Sequence, residues 1–306
     1  MPLVKHATAM RGEAVKGHVA VLLANVIFGV GVPVTAILLS KWVTPNGYML
    51  TRCAGAALIF WIIQCFLPKE QMTLRDWITI VVGGLIGIVV SQLFTAWSLV
   101  YTTPTYYAIL ATLVPVATML GAALFLKERI TGMKILGVVL AIIGALIIVL
   151  HTGLGESQGK NDLLGIGLGF LSLITWVIYL LITRNVSARY SPVTQMKWVF
   201  LASALVMLPM TWGEFDQQTL YSPAWQWSGV IAMAFIVICA TVLGYFAIPY
   251  AMKRLDATTV STYTNLQPIV TALIAITIGQ DVLTWDKPVA LIIVLVGAYL
   301  VTMKND

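Results

Sequence analysis

The side chains that most often do chemistry are sparse in this sequence, and their positions do not suit catalysis. The three histidines, His6, His18 and His151, lie at or outside the ends of long apolar stretches. No nucleophile has an adjacent base, and the three cysteines show no metal-ligand spacing. We therefore expect no enzyme, no metal site and no cofactor.

The 12 acidic residues form the most informative pattern, because none lies at the centre of an apolar stretch. Proton-coupled antiporters commonly bury a carboxylate in the pathway, where burial tunes its pKa. A site without one favours a neutral or zwitterionic ligand over a bare cation. Glu128, Asp256 and Asp281 remain candidates for proton coupling near the interface, although charges at helix ends or in loops are the simpler interpretation.

Recognition of such a ligand would rest on aromatic faces and neutral hydrogen-bonding groups. Ser91 and Thr95 are one helical turn apart and share a face. The stretch 258–267 is too polar to face lipid, and Asn25 and Gln92 lie deep enough that an unsatisfied amide would be costly. We predict a cavity lined by Asn25, Phe28, Gln92, Thr95, Tyr107, Trp176, Tyr179, Tyr245, Tyr263, Asn265 and Gln267.

Each of these residues also has a purely structural interpretation. Serine and threonine in membrane helices often bond a carbonyl of the preceding turn, and an amide serves a helix contact as well as a cavity wall. Tyr106 and Tyr107 also fit an aromatic belt at the membrane interface. Arg52 either snorkels outward, binds helix carbonyls or binds a substrate carboxylate, and a structural role is preferred. Pro115 and Pro268 interrupt apolar stretches and are predicted hinges.

The elements that position these residues are predicted to be membrane-spanning helices. Apolar residues make up 59% of the 306 positions and charged residues only 10%, against roughly 25% charged in soluble domains. A spanning helix needs roughly 20 apolar residues. Ten such stretches are predicted, at 18–39, 46–67, 77–98, 104–125, 132–151, 163–183, 193–212, 227–250, 257–278 and 288–303.

The basic residues support this topology. Of the 18 Lys and Arg residues, 13 fall on one side of the predicted helices, three fall on the other, and Arg52 and Lys197 lie near helix ends. Because cytoplasmic loops are enriched in Lys and Arg, both termini are predicted in the cytoplasm. Basic residues spread over short loops do not form the continuous surface that binds nucleic acid, so the net charge of +6 does not predict that partner.

The two halves of the sequence form an internal repeat. A shift of 153 positions aligns them without a gap over a long stretch and places Pro115 over Pro268 and Glu128 over Asp281. Five helices per half is an odd number, so the second half enters the membrane from the opposite side. Inverted repeats are typical of alternating-access transporters, although such a repeat is also an economical way to build a large membrane protein.

The predicted fold is therefore an all-α integral membrane protein with ten transmembrane helices in two inverted five-helix repeats. A cytoplasmic N-terminal segment at 1–17 precedes the first repeat at 18–151. An external linker at 152–162 leads to the second repeat at 163–303.

Several motifs carry a family resemblance. Pro115 is followed by Lys127-Glu128-Arg129, and Pro268 by Gln280-Asp281; the others are Arg52 after Pro45, Asn25 to Gly29, and Trp176 with Tyr179. In these features the chain resembles the drug/metabolite transporter superfamily, specifically the ten-helix EamA-type transporters. Its Gln280-Asp281 departs from the usual Gly-Glu ending. The resemblance implies export of amino acids or related metabolites, through a central cavity lined mainly by helices one, three, four, six, eight and nine.

These observations lead to a hypothesis of function. We expect a secondary transporter that exports small neutral or zwitterionic metabolites by alternating access, in a bacterial inner (plasma) membrane. The expected partners are a small-molecule substrate and membrane lipids, and the chain is expected to be a monomer or homodimer. The alternatives are an exporter of lipids, drugs or other amphiphiles, and a non-transporting scaffold or accessory subunit.

Overall fold

The computed structural model describes residues 2–126, 132–153, 159–187, 189–223, 225–252, 254, 263 and 266–302. Within these ranges the regular structure is helical throughout, and no strand occurs. Eleven helices, labelled α1 to α11 in chain order, account for it.

The helices of the described ranges have the following bounds. The first six are α1 (Pro2–Lys41), α2 (Pro45–Cys65), α3 (Leu74–Tyr101), α4 (Pro104–Ala111), α5 (Val114–Leu126) and α6 (Gly132–Gly153). The others are α7 (Asp162–Ser187), α8 (Pro192–Thr211), α9 (Trp227–Ala234, Phe235–Leu243 and Gly244–Met252), α10 (Leu266–Thr277) and α11 (Asp286–Thr302). Short 3-10 helices at Trp212–Gln217 and Thr219–Tyr221 connect α8 to α9.

Seven helices in the described part of the chain are long and apolar enough to cross a bilayer. They are Ala14–Lys41, Pro45–Cys65, Leu74–Tyr101, Pro104–Gly121, Asp162–Thr183, Pro192–Gln217 and Trp227–Ala247. Ile135–Ile147 and Leu266–Thr277 are shorter apolar helices. Large apolar side chains stay exposed along these helices, such as Leu58, Ile142 and Leu273. Such a surface suits lipid rather than water, so the chain is an integral membrane protein.

Three of the predicted helix starts have a common local cause. Thr44, Thr103 and Ser191 each stand before a proline, and each side-chain oxygen accepts a hydrogen bond from a backbone N–H of the first turn. A proline at the first helical position loses no hydrogen bond, because that N–H has no partner within the helix. These Thr-Pro and Ser-Pro pairs therefore start α2, α4 and α8, as the sequence predicts.

Two predicted boundaries differ from the structure. Helix α1 begins at Pro2, well before the predicted start at residue 18. The stretch predicted as one helix at 104–125 is divided into α4 and α5 by a turn at Thr112 and Leu113, whose N–H groups donate to carbonyls three residues earlier. Pro115 follows at the second position of α5. Proline has no N–H and disfavours helical backbone before it, which explains the break.

Two helices contain a π-helical segment, in which hydrogen bonds skip one extra residue. The segments are Leu85–Val90 in α3 and Phe235–Leu243 in α9. A shift of 153 positions carries 85–90 onto 238–243, inside the second segment. Since π-helical turns widen a helix locally and are frequent at functional sites, their shared position marks α3 and α9 for attention.

The helices pack in a small number of extensive pairs. Helix α6 lies along α11, and α2 lies along α8. Helix α3 packs against α7, which also contacts α4 and α5, while α1 packs against α9 and α10.

The ends of α2 and α8 are held by polar contacts from distant loops. Thr44 before α2 donates its backbone N–H to Gln218 (2.9 Å) and its hydroxyl to Glu214 (2.5 Å). At the start of α8, Glu70 accepts the backbone N–H of Ser191 at 2.9 Å. Gly47 leaves the space that the Gln218 amide fills, since a Cβ there would collide with it.

Candidate functional site

Arg52 is the centre of a polar cluster between α2, α3 and α9. It lies seven residues into α2, about 10 Å along the axis from Pro45. Its Nε donates to the Thr241 hydroxyl at 3.0 Å, and one Nη donates to the Gln92 carbonyl oxygen at 2.8 Å. The residue is only 8% exposed. The guanidinium therefore points across the helices and does not snorkel to the interface.

The π-helical segment of α9 positions Thr241. The Thr241 hydroxyl donates to the carbonyl of Ile236, five residues earlier, at 2.8 Å. This five-residue step is that of the π-helix itself. Because its proton is used in that bond, the Thr241 oxygen presents a lone pair to Arg52.

Neutral aromatic hydroxyls surround the same arginine. Tyr48 and Tyr245 lie close enough to interact with the Arg52 charge, and Tyr107 interacts with it as well. No carboxylate in the described part of the chain pairs with Arg52. We call the set Arg52, Gln92, Thr241, Tyr48, Tyr107 and Tyr245 the Arg52 cluster.

Apolar rings extend this cluster. The Tyr245 ring stands edge-on to Phe28 and to Phe200, with centroids 6.4 and 6.0 Å apart. On α7, the Trp176 and Tyr179 rings lie 5.1 Å apart, and Tyr179 interacts electrostatically with Tyr245. Phe28, Trp176, Tyr179 and Tyr245 all keep partial exposure. Partly exposed rings between packed helices are what the wall of an internal space requires.

Helix α3 is joined to α7 by a line of hydroxyl contacts. Ser91 donates to the Ser172 carbonyl at 2.9 Å, and Ser98 donates to the Gly165 carbonyl at 2.7 Å. Thr95 lies 2.8 Å from the Ser172 hydroxyl and 2.9 Å from that of Tyr107. Thr95 thereby links this helix contact to the Arg52 cluster, while Ser91 and Ser98 are buried in the contact itself.

A second line of contacts joins α1 to α10. The Gln267 amide donates to Asn25 at 2.6 Å, and the Thr271 hydroxyl donates to the Gly29 carbonyl at 2.8 Å. Gly29 permits this approach, because a Cβ there would lie 2.7 Å from the Val270 Cβ. Asn25 is fully buried. Asn25 and Gln267 thus satisfy each other in a helix contact.

The other residues predicted to line the cavity or to act as hinges lie outside the Arg52 cluster or outside the described residues. The Tyr263 hydroxyl lies 3.0 Å from Nδ1 of His18 in the first half of α1, away from the contacts of the Arg52 cluster. Pro268 is buried near the start of α10. Asn265, Glu128 and Asp256 lie outside the described residues, as does the side chain of Pro115.

A second buried charge cluster lies at the start of α11, and sequence reasoning missed it. The Lys287 ammonium donates to Asp281 Oδ1 at 2.5 Å and sits 5.0 Å from the centroid of the Tyr106 ring. The Tyr106 hydroxyl donates to Asp286 at 2.8 Å. All four side chains are at most 6% exposed. We call them the Lys287 cluster.

Two of these residues have a simpler interpretation in the sequence than in the structure. Asp281 lies in the loop before α11, as the simpler interpretation has it, but it is buried there in an ion pair, and Tyr106, which also fitted an interface belt, is buried as well. The available signal was the Asp286-Lys287-Pro288 start of an apolar stretch, with a second acid six residues before the lysine.

Metal ligands do not gather within the described ranges, where no three His, Cys, Asp or Glu side chains come together. A groove of about 370 Å³ opens between α5, α6 and α7. Only apolar side chains line it, among them Leu113, Leu120, Ile142 and Phe170.

Comparison with known proteins gives one consistent result. Residues 15–150 and 163–303 each match the EamA-like transporter family. An uncharacterized transporter of Archaeoglobus fulgidus is 23% identical over 93% of this chain and 99% of its own length. The uncharacterized transporter YyaM of Bacillus subtilis is 24% identical over 82% and 83%, and a WAT1-related protein of Arabidopsis thaliana is 20% identical over 95% and 85%.

One solved crystal structure shares the fold. It superposes with a TM-score of 0.61 over 95% of this chain and 96% of its own, at 16% identity. At that identity the likeness concerns the fold alone.

Proposed function

Because this chain belongs to the EamA-like transporter family, we propose that it exports small neutral or zwitterionic metabolites, such as amino acids or related compounds. Transport would be secondary and would proceed by alternating access through a central cavity. The observation that carries the proposal is the Arg52 cluster, where a buried cation, neutral hydroxyls and partly exposed aromatic rings from α2, α3, α4 and α9 meet. A small solute with polar and apolar parts suits such a site.

The proposed architecture is ten spans in two inverted repeats, at 18–151 and 163–303, joined by an external linker at 152–162. The family matches 15–150 and 163–303 separately, which supports this division. The packing pairs support it as well. With α4 and α5 taken as one span, the contact of α3 with α7 corresponds to that of α9 with α1, and the pairs α6–α11 and α2–α8 each correspond to themselves. The related π-helical segments of α3 and α9 fit the same symmetry.

In this proposal the Arg52 cluster binds the solute, and the two lines of helix contacts hold the cavity walls. Helices α3 and α7 would move as one unit because their hydroxyl contacts are buried, and α1 and α10 as another. Pro115 and Pro268 would be the hinges, since each lies near the start of a helix where backbone hydrogen bonds are missing. Residues 1–17 and both termini would face the cytoplasm of a bacterial inner membrane, and the chain would act as a monomer or homodimer.

A second candidate function rests on the apolar groove between α5, α6 and α7. A groove lined only by apolar side chains accepts an acyl chain or another apolar tail, so the groove favours an exporter of lipids, drugs or other amphiphiles. A scaffold or accessory subunit that transports nothing is the further alternative, and it makes no use of the Arg52 cluster.

The test is flux with purified protein in liposomes. Labelled amino acids and labelled amphiphiles are compared with and without a pH gradient, and empty liposomes give the background. The proposal predicts saturable flux of at least one amino acid or similar zwitterion. Flux of amphiphiles alone would favour the second candidate. Flux of neither class would favour the scaffold or accessory subunit.

The matched control variant is Leu120→Phe, which fills the apolar groove and leaves the Arg52 cluster untouched. If the Arg52 cluster binds the solute, amino-acid flux through this variant stays within about twofold of wild type, because a lipid-facing apolar change costs little. Selective loss of flux through it would instead support entry by the groove.

A further inference from the structure

The partners of Arg52 are unusual for a buried cation. A charged side chain taken out of water is costly unless a counter-charge and hydrogen bonds compensate it. Both hydrogen bonds that the structure gives Arg52 go to neutral oxygens, those of Gln92 and Thr241. Its electrostatic neighbours Tyr48, Tyr245 and Cys53 are neutral near pH 7 as well. The charge of Arg52 is thus hydrogen-bonded but not balanced within the described residues.

Arg52 also keeps the geometry to bind an anion. A guanidinium has five N–H donors in a planar fork; the bonds to Gln92 and Thr241 use two of them, and a hydrogen-bonding interaction with Tyr48 uses at most one more. The fork matches a carboxylate with two parallel hydrogen bonds, which are stronger than bonds between neutral groups. The hydroxyls of Tyr48, Tyr107 and Tyr245 lie around the same point and add further donors.

We propose that Arg52 is the carboxylate-binding residue of the solute site, so that the transported solutes are those that carry a carboxylate. This inference rests on the proposed function and narrows it from neutral or zwitterionic metabolites to the zwitterionic ones. The carboxylate supplies the missing counter-charge. The rest of the solute lies against the rings of Phe28 and Tyr245, and an ammonium group has aromatic faces rather than a carboxylate to meet there.

The experiment compares acids with their amides. The probes are L-leucine, L-phenylalanine and L-threonine, each with its carboxamide, because the amide keeps the shape and removes the negative charge. Binding is measured by the ligand-induced rise in unfolding temperature of the detergent-purified protein, and flux is measured in liposomes. At least one acid is expected to bind about 100-fold more tightly than its amide, since two charge-assisted hydrogen bonds are lost.

Three variants sharpen this comparison. Arg52→Gln removes the charge and should reduce the preference of acid over amide from about 100-fold to less than about threefold. Arg52→Lys keeps the charge but not the fork and should retain an intermediate preference of about tenfold. The control is Lys197→Gln, which removes another buried cation, one that packs against the rings of Trp61 and Trp198. It should keep the full preference.

The outcomes separate the inference from the function on which it rests. Flux or binding of acids and amides to equal extents would overturn the role of Arg52 and leave transport intact. An unchanged preference for acid over amide in Arg52→Gln would also overturn the role of Arg52. If that variant does not fold, the acid–amide comparison in the wild-type protein and in Arg52→Lys still decides. Absence of flux and binding for every probe would overturn the proposed function together with the inference.

Discussion

Two buried cations in this protein differ in the charge of their partners. Lys287 donates to the Asp281 carboxylate at 2.5 Å and to the Val282 carbonyl at 2.6 Å, with Asp286 close by on the Tyr106 hydroxyl. Arg52 has only neutral partners in the described part of the chain. Lys287 is thus paired with an anion inside the protein, whereas the positive charge of Arg52 has no anionic partner among the described residues.

The difference indicates what each cluster does. The ion pair of Lys287 and Asp281 ties the start of α11 to the loop before it, and Tyr106 ties α4 to the same place. Such a contact is structural, because Lys287 and Asp281 balance each other's charge without any other molecule. The Arg52 cluster lies between four helices, and no carboxylate of the described residues balances its charge, so in our proposal an anionic solute does. Four variants and one pH series test this contrast.

The largest expected effect on stability is at Lys287. Lys287→Met leaves Asp281 buried without its cation, which should lower the free energy of unfolding by about 3–5 kcal/mol. Chemical unfolding in mixed micelles measures this loss. The double variant Lys287→Met with Asp281→Asn should recover most of it, since the Asp281 charge is removed together with its cation. A loss below about 1 kcal/mol in the single variant would show that the pair is not buried as described.

The next effect concerns a neutral partner of Arg52. Gln92→Leu removes the oxygen that accepts from the guanidinium at 2.8 Å and should cost about 1.5–3 kcal/mol, as for a hydrogen bond to a charged group. The same unfolding experiment measures it. Thr241→Ser keeps the accepting hydroxyl and is the control, expected to change stability by less than about 1 kcal/mol. Equal losses in both variants would count against a specific role for the Gln92 oxygen.

A smaller effect is expected at Arg52 itself. Arg52→Gln removes a charge that no carboxylate of the described residues balances, so the unfolding free energy of the ligand-free protein should change by less than about 1 kcal/mol. This result would contrast directly with Lys287→Met under the same conditions. A loss as large as that of Lys287→Met would mean that Arg52, like Lys287, is held by a strong internal partner.

The smallest effect is expected at Glu70, an exposed anion that accepts hydrogen bonds from neutral groups and interacts with the charge of Lys197. Burial raises the pKa of this carboxyl slightly, but hydrogen bonds from Ser191 and Thr194 outweigh it and hold the pKa below its ordinary value of about 4.5. A lowered pKa in the folded state adds stability above the ordinary value, and this is lost as the pH falls through the folded-state value. The unfolding free energy of wild type should therefore exceed that of Glu70→Gln by a few tenths of a kcal/mol near pH 7, and this margin should vanish as the pH falls through the lowered folded-state pKa. A margin that persists at lower pH would contradict this assignment.

Much of the fold could be predicted from the sequence, because the bilayer imposes simple rules. Apolar stretches of spanning length located most of the described helices to within a few residues. The break between α4 and α5 was missed, although Pro115 signals it, because an apolar stretch hides a turn of two residues. The π-helical segments could not be predicted, since no residue type marks them.

The candidate site was only partly predictable. Residue type and depth singled out Gln92, Tyr107 and Tyr245, which the structure brings around Arg52. Residue type alone could not separate these from Asn25 and Gln267, which pair with each other across α1 and α10. Whether a buried amide meets a cavity or another helix depends on how distant segments pack, and a single sequence does not contain that information.

The most direct test is a variant that places a negative charge beside Arg52 within the protein. Gln92→Glu places a carboxylate where an oxygen already accepts from the guanidinium at 2.8 Å. If the solute normally supplies the counter-charge, this variant should unfold at a higher temperature, and its affinity for carboxylate-bearing amino acids should fall about 100-fold, to that of their amides. Amino-acid binding as tight as in wild type would contradict the account, because the site would then not depend on the unbalanced charge of Arg52.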